Sequence, residues 1–551
     1  MVEQDADLVK CLLADQTRME GVRALYEPIY RDIDTYIDPF GAGGFVQGAS
    51  MRSIENLYDT TGIDGLDRGT AAIAGVTIPS NQRWHGLEFP DPELNKLPEV
   101  RRWCALATDR LFAARYAPTA GFEVQAHEDV RQELKYGTAP FWIGEDPRKG
   151  IFYKSLHLSE IYIEENYYGR VDRVHRKYTR TLAQAVDEFG LENLSPRLQR
   201  DWEDPKKHAT EIQFLQVIRP NGLYAGKKIG WQGKPIESLH IEIDEKHMVA
   251  RGGYYSMPIA VSRHITGPRD VYGRSPAMKV LATIKGANAM ARTILDAGNR
   301  AVNPPLLFYD DADITKVVTR PGGLNPGGID EFGRQMIQPL QMGGELPIGM
   351  ELLAGERAVV KQSFLEEFFR LLSDPSDRMT ATQVMETLQK EGVLIRPFAG
   401  RRETEKVGPT IERELEIHMR RGTIPQPPPV VREAGEAPRP LMTNPLARMA
   451  RAEEVSGFTR WAEIGVSAAS AGAEGALDRV NWDTAMPDIA EVLGVRPTHV
   501  RSDEEIAAIQ EARQAEKEAA QATQVMPAAA GAALDMAKAN ELAGLGIPGG
   551  L

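Results

Sequence analysis

Three cations stand out for their spacing in this 551-residue chain: Lys285, Arg292 and Arg300. Seven and eight positions apart on a helix, they share one face, and a row of positive groups suits an anionic strand such as a nucleic-acid backbone. A solvated cationic face accounts for the same spacing. Catalytic templates fail. Residues 222–228 (GLYAGKK) lack the glycine spacing of a phosphate loop and the Ser or Thr after its lysine. His127-Glu128 has no second histidine four residues after the first, and no Gly-x-Ser-x-Gly elbow occurs. The acids Asp310, Asp311 and Asp313, like Asp503, Glu504 and Glu505, read as solvated loops or helix starts sooner than as metal ligands. Two cysteines, Cys11 and Cys104, support neither a disulfide framework nor a cysteine-ligated zinc site. The expectation is therefore no catalytic constellation, no metal and no cofactor.

The element that must position the three cations is the clearest helix in the sequence, residues 276–301. Ser275 suits its N-cap and Pro276 its first turn, and Asn303-Pro304-Pro305 ends it. At 1.5 Å per residue it would be about 39 Å long. Leu281, Ile284, Ala287, Ala291, Ile294 and Leu295 give it a packing face, and its small residues let a neighbouring helix come close. A Pro/Gly-rich stretch (303–354) with strand-like pieces LLFY and ITKVV follows. A second helix is predicted over about 355–372, with Val360, Phe364, Phe368 and Leu371 on one stripe, broken by SDPS at 373–376. Helices return at 380–391 and 402–421. PQPPP (425–429) reads as a linker, 444–524 as mostly helical, and 525–551 as an Ala/Gly-rich tail.

Upstream, helices are predicted over 5–40, 53–78 (stopped by Pro79) and 98–137, with a flexible loop at 41–50. From Thr138 the pattern turns to strands in FWIGED, IFYKSL and IYIEENYYG. A helix is expected near 181–203, then strands at 211–219, 237–244 and 247–265, the last reading as strand, Gly-Gly turn, strand. The fold class is a helix-rich α+β arrangement.

Composition narrows the function classes. Lys and Arg total 65 against 78 Asp and Glu, a net charge of -13, with 42% hydrophobic and 26% charged residues. Such a chain is globular, and its length suggests three or four units. The acidic balance argues against tight gripping of nucleic acid but not against letting it slide past. No stretch reaches the roughly 18 apolar residues of a membrane helix, and MVEQDADLVK lacks a signal-peptide pattern, so synthesis in the cytoplasm without export is expected.

Four stretches carry a resemblance: LYDTTGIDGLDRGTAAIAGVTIPSNQRWHGL (57–87), MPIAVSRHITGPRDVYGRSPAMKVLATIKGANAM (257–290), MTATQVMETLQKEGVLIRPFAGRRETEKVGPTIERELEIHMRRG (379–422) and NPLARMARAEEVSGFTRW (444–461). In the first, a Tyr-Asp-Thr start, an Ala/Gly-rich helix and a Pro-x-x-x-x-Trp ending match. In the second, Tyr-Gly-Arg-Ser-Pro opens the long helix. In the third, Met-Thr-Ala-Thr-x-Val precedes a helix. Together they resemble the head-to-tail connecting, or portal, proteins of short-tailed bacteriophages, a family of structural rings without catalytic activity.

The resemblance implies a portal-protein fold of wing, stem, β clip and helical crown, assembled as a dodecameric ring at one capsid vertex. On this sequence the wing would be 1–270 and 376–438, the latter with the Pro-rich linker. The first stem helix would be 271–302, the clip 303–354, the second stem helix and the start of a channel loop 355–375, and the crown 439–551. Implied partners are double-stranded viral DNA, the terminase large subunit, tail or adaptor proteins, and major capsid and scaffolding proteins, with no membrane. The location would be the virion, after synthesis in the host cytoplasm. By position, Lys285, Arg292, Arg300 and, in the loop 373–379, Arg378 are the DNA-channel candidates. Twelve copies at -13 each would make a ring of -156. The competing readings are an enzyme with an unrecognised site in the α/β region, and another internal virion or scaffolding protein.

Overall fold

The computed structural model describes residues 2–40, 55–308, 317–340, 346–365 and 400–470 apart from positions 81, 147 and 149, with Phe45, Phe398 and scattered residues between 482 and 515. Residues 1–447 and 448–551 form two compact units.

The first unit opens with α1 (Val2–Ala24) and α2 (Glu27–Tyr36), then α3 (Thr61–Thr77). Strand β1 (His85–Glu88) leads into α4 (Pro92–Lys96), α5 (Pro98–Arg115) and α6 (Phe122–Tyr136). The expected helix over 98–137 is thus two helices. Pro118 cannot donate a helical bond, and Gly121 takes φ +69 at the α6 N-cap. Helix α3 starts at Thr61 rather than near Ser53, behind residues 57–60 outside any helix.

Strands follow: β2 (Thr138–Asp146), β3 (Gly150–Ser155), β4 (Ile161–Glu165) and β5 (Val171–Thr181). Helices α7 (Leu182–Phe189) and α8 (Pro196–Asp201) fill the 181–203 region, α7 with a full Thr181/Gln184 capping box. Then come β6 (Glu211–Pro220), β7 (Ile236–Glu242), β8 (His247–Tyr254) and β9 (Ile259–Arg263). The Gly-Gly turn is corrected: Gly252 and Gly253 lie inside β8, opposite Ser238 and Glu237, and the chain turns instead at 243–246 and again before Pro258.

Strands β4 to β8 form a five-stranded antiparallel meander, and β3-β2-β9 a three-stranded sheet. The meander is buried on both faces. Leu215, Val217, Leu239 and Ile241 meet Val9 and Leu12 of α1, while Ile212 and Phe214 meet Leu182, Leu194 and Leu198 beside α7 and α8. This explains why β6 reads as a near-continuous apolar run.

Helix α9 (Pro276–Val302) matches its sequence expectation, with Ser275 Oγ accepting from Met278 N at 3.0 Å. The short pair β10 (Leu306–Phe308) and β11 (Ile337–Pro339) follows, then α10 (Leu346–Ser363). Helix α10 begins at Leu346 rather than about 355, because Pro347 sits in its first turn, where a missing N–H costs nothing. Residues 403–407 form a π-helical turn running into α11 (Gly408–Arg420). Pro409 cannot donate to the carbonyl four residues back, so the backbone bonds there run one residue longer. After α12 (Pro429–Ala434), β12 (Arg439–Met442) pairs with β1 across 351 positions, Glu88 opposite Arg439. Neither this pairing nor β5 was apparent in the sequence. Helix α13 (Pro445–Ser470) runs into the second unit, where Phe458 lies 5.9 Å from Trp461 and 6.2 Å from Trp482. Positions 366–397, with Phe368, Leu371 and the expected helix 380–391, lie outside the described residues, as do 41–44, most of ITKVV and 516–551.

Candidate functional site

Helices α9 and α10 pack along each other. Ala287 and Ala291 bring the two backbones close, Leu353 is buried between them, and Gly349 approaches Ile294 Cγ1 so that a Cβ there would stand 3.4 Å away. The start of α9 is fixed by a glycine crossing. A Cβ on Gly273 would lie 1.9 Å from Gly137 O, so only two glycines allow α6 to end against the strand of chain that opens α9. Gly137 takes φ +74 there, and its carbonyl accepts from His264 N at 2.8 Å.

A polar hub joins the pair to the segment before α3. Asn288 Oδ1 accepts from Tyr58 N at 2.6 Å and Asp59 N at 3.2 Å, and its amide donates to Asn56 O at 3.1 Å. Arg357 of α10 donates to Asp59 Oδ2 at 2.8 Å. Burial pushes the Asp59 carboxyl up, but hydrogen bonds from Thr61 and Arg357 outweigh it and hold it below the usual carboxylate range. The sequence carried one signal for this hub, a lone Asn on the apolar face of α9; Asp59 and Arg357 had none.

The predicted cations divide. Lys285 is bonded within the protomer, Nζ to Asp32 Oδ2 at 2.6 Å, and lies 5.5 Å from the Tyr36 ring. Arg292 is exposed, its guanidinium 5.6 Å from the Tyr58 ring, and Arg300 stands exposed in the last turn of α9. Arg378 lies outside the described residues. The same helix pair turns large apolar groups to solvent: Leu295 is 54% exposed, Met350 61% and Leu352 57%.

The α/β region supplies the frame behind this pair through buried ion pairs from the 402–420 segment. Arg115 donates from Nε and a terminal nitrogen to Glu414 at 3.1 and 2.5 Å. Tyr153 hydroxyl adds a bond at 2.7 Å, and the guanidinium lies over Trp84 at 4.7 Å. Lys406 pairs with Asp129 and Arg402 with Glu133. Burial pulls the Lys406 ammonium down to about 8. Arg263 donates to Glu405 at 2.7 Å, to Glu165 and to Gly169 O. Among the described residues no group of three or more His, Cys, Asp or Glu is placed to hold a metal ion, and no helix is long and apolar enough to cross a membrane.

Comparisons with known proteins bear on what this arrangement is for. A "Portal protein" of Salmonella phage epsilon15 is 24% identical over 539 residues, spanning 94% of this chain and 93% of that protein. A "Probable portal protein" of Bordetella phage BPP-1 is 26% identical over 523 residues, spanning 93% of this chain and 92% of that one. Among solved structures, a chain from the virion of a native gene transfer agent particle aligns with a TM-score of 0.35 at 13% identity, over 79% of this chain and 95% of that chain. The family model for the bacteriophage head to tail connecting protein matches residues 11–500, and the chain belongs to that family.

Proposed function

We propose that the chain assembles into a ring, most often of twelve copies, through which double-stranded viral DNA enters and leaves the capsid. As a member of its family the protein is a portal connector, a virion component at the head-to-tail junction. The ring reading adds that α9 and α10 are stem helices and that the clip, expected over 303–354 and now shortened to end where α10 begins at Leu346, docks the terminase large subunit and then tail or adaptor proteins. Capsid and scaffolding proteins meet the ring during assembly in the host cytoplasm. The ring does no covalent chemistry of its own.

The observation that carries this is an exposed apolar row on α10. Ile348, Leu352 and Val359, four and seven positions apart and so on one face of the helix, are 52%, 57% and 49% exposed in a lone chain. An exposed apolar stripe on a surface helix marks a protein interface, and packing against the next copy of a ring covers it, while Arg292 and Arg300 of α9 are exposed for a passing duplex. Few phosphate contacts per copy keep that hold weak and salt-sensitive. Negative-stain microscopy of the purified protein tests it. The expected result is rings with a duplex-sized central hole; monodisperse monomers at micromolar concentration overturn it.

A further inference from the structure

The five-stranded meander has two unlike ends. At one end lie the β4–β5 turn (166–170) and the β6–β7 connection (221–235), because β5 begins, and β6 ends, on that side. The 221–235 loop carries Lys227, Lys228 and Lys234 and no acid, a local +3 in a chain of -13. Its apolar residues face outward: Ile229 is fully exposed and Leu223 largely so, with Tyr167 97% exposed on the neighbouring turn.

The loop is nonetheless ordered. The Asn221 amide donates to Trp231 O and Lys234 O at 2.9 Å each, Ala225 N donates to Gln232 O at 2.8 Å, and Arg251 lies 3.5 Å over the Trp231 ring. The turn beside it is tied down where Gly169 O accepts from Arg263 at 3.0 Å. A rigid loop that presents an isoleucine to water loses little entropy when covered, which is what a binding element needs.

The other end of the meander is mildly negative: the β5–β6 connection, 182–210, holds six acids against the four bases Arg197, Arg200, Lys206 and Lys207, a net charge of -2. Asp187, Glu192, Glu203 and Asp204, on or beside α7 and α8, are exposed and form no ion pair among the described residues. We propose that the 221–235 loop of one copy docks on this end of the next copy, a head-to-tail contact of the kind that closes rings. This rests on the ring reading above. Duplex DNA fits the loop less well. A duplex offers phosphates to the three lysines but little to the exposed apolar Leu223 and Ile229.

Rings grown from a mixture of normal and 15N-labelled chains, treated with a zero-length carbodiimide, test the contact. Expected are mixed-isotope peptides joining Lys227, Lys228 or Lys234 to Asp187, Glu192, Glu203 or Asp204. Rings whose cross-links from these lysines are all of one isotope overturn this inference and leave the ring standing; the absence of any ring overturns both. The variant K227E/K228E/K234E should fold unchanged by circular dichroism and need about tenfold more protein to assemble. Adding D187K and E203K to the same chain should restore assembly. Assembly unchanged in the triple variant, with DNA retention lost, assigns the loop to nucleic acid and overturns the proposal.

Discussion

Arg115 and Glu414 are both almost wholly buried, and Glu414 is held by two guanidinium bonds and a tyrosine hydroxyl. Removing one partner leaves the other charged in a dry core, so Glu414→Gln is expected to cost about 3–5 kcal/mol of folding stability, read from the denaturant midpoint. Two histidines make a separate prediction. Burial pulls His175 and His264 down to about 4, against about 6.5 in an unfolded chain. The unfolded state therefore binds more protons between those values. The stability from these neutral rings is complete above about pH 6.5 and is lost as pH falls toward 4. The denaturant midpoint should drop between pH 7 and pH 5, and His175→Gln should flatten that slope. Little of this was legible beforehand. Ten scattered histidines gave no hint which were buried, and Arg115 and Glu414 lie 299 positions apart, beyond the reach of any local pattern.

Helices were read better than strands, for physical reasons visible in particular elements. Helix α9 was found from its own punctuation, since Ser275, Pro276 and Asn303-Pro304 are local signals. Ser275→Ala should cost about 1 kcal/mol in a thermal melt through loss of the cap on Met278 N. Strand β5, in contrast, is VDRVHRKYTRT, whose charges pair with residues from elsewhere, Arg176 with Glu160 and Lys177 with Glu20. Strand β8 holds Gly252 and Gly253 where the sequence suggests a turn, because pairing with β7 overrides their weak strand preference. The Gly137–Gly273 crossing shows as nothing more than two glycines in the sequence. Gly273→Ala should nonetheless be severe, with loss of soluble protein, since its Cβ meets backbone rather than a movable side chain.

At the scale of the molecule, the resemblance stated from four sequence blocks and the family match agree on a head-to-tail connector. The cations are less uniform than their spacing suggested. Lys285 is bonded to Asp32, so Lys285→Ala should cost at most about 1 kcal/mol and leave DNA behaviour unchanged. Replacing Arg292 and Arg300 together should spare ring assembly and reduce packaged DNA; loss of the ring would mean they serve subunit packing. The separated segments of the first unit have a further consequence, in time. Strand β1 pairs with β12, and the α5–α6 core closes on Glu414 and Lys406. At 5–20 residues per second, the ribosome makes residue 442 about 20–70 s after residue 88. The aromatic core around Trp84, Trp103 and Phe122 stays unsealed for that interval, and a nascent chain halted before residue 400 should be cut readily by protease within 80–140. The ring proposed above is therefore expected to form only after the chain's own late segment has returned to shut this core.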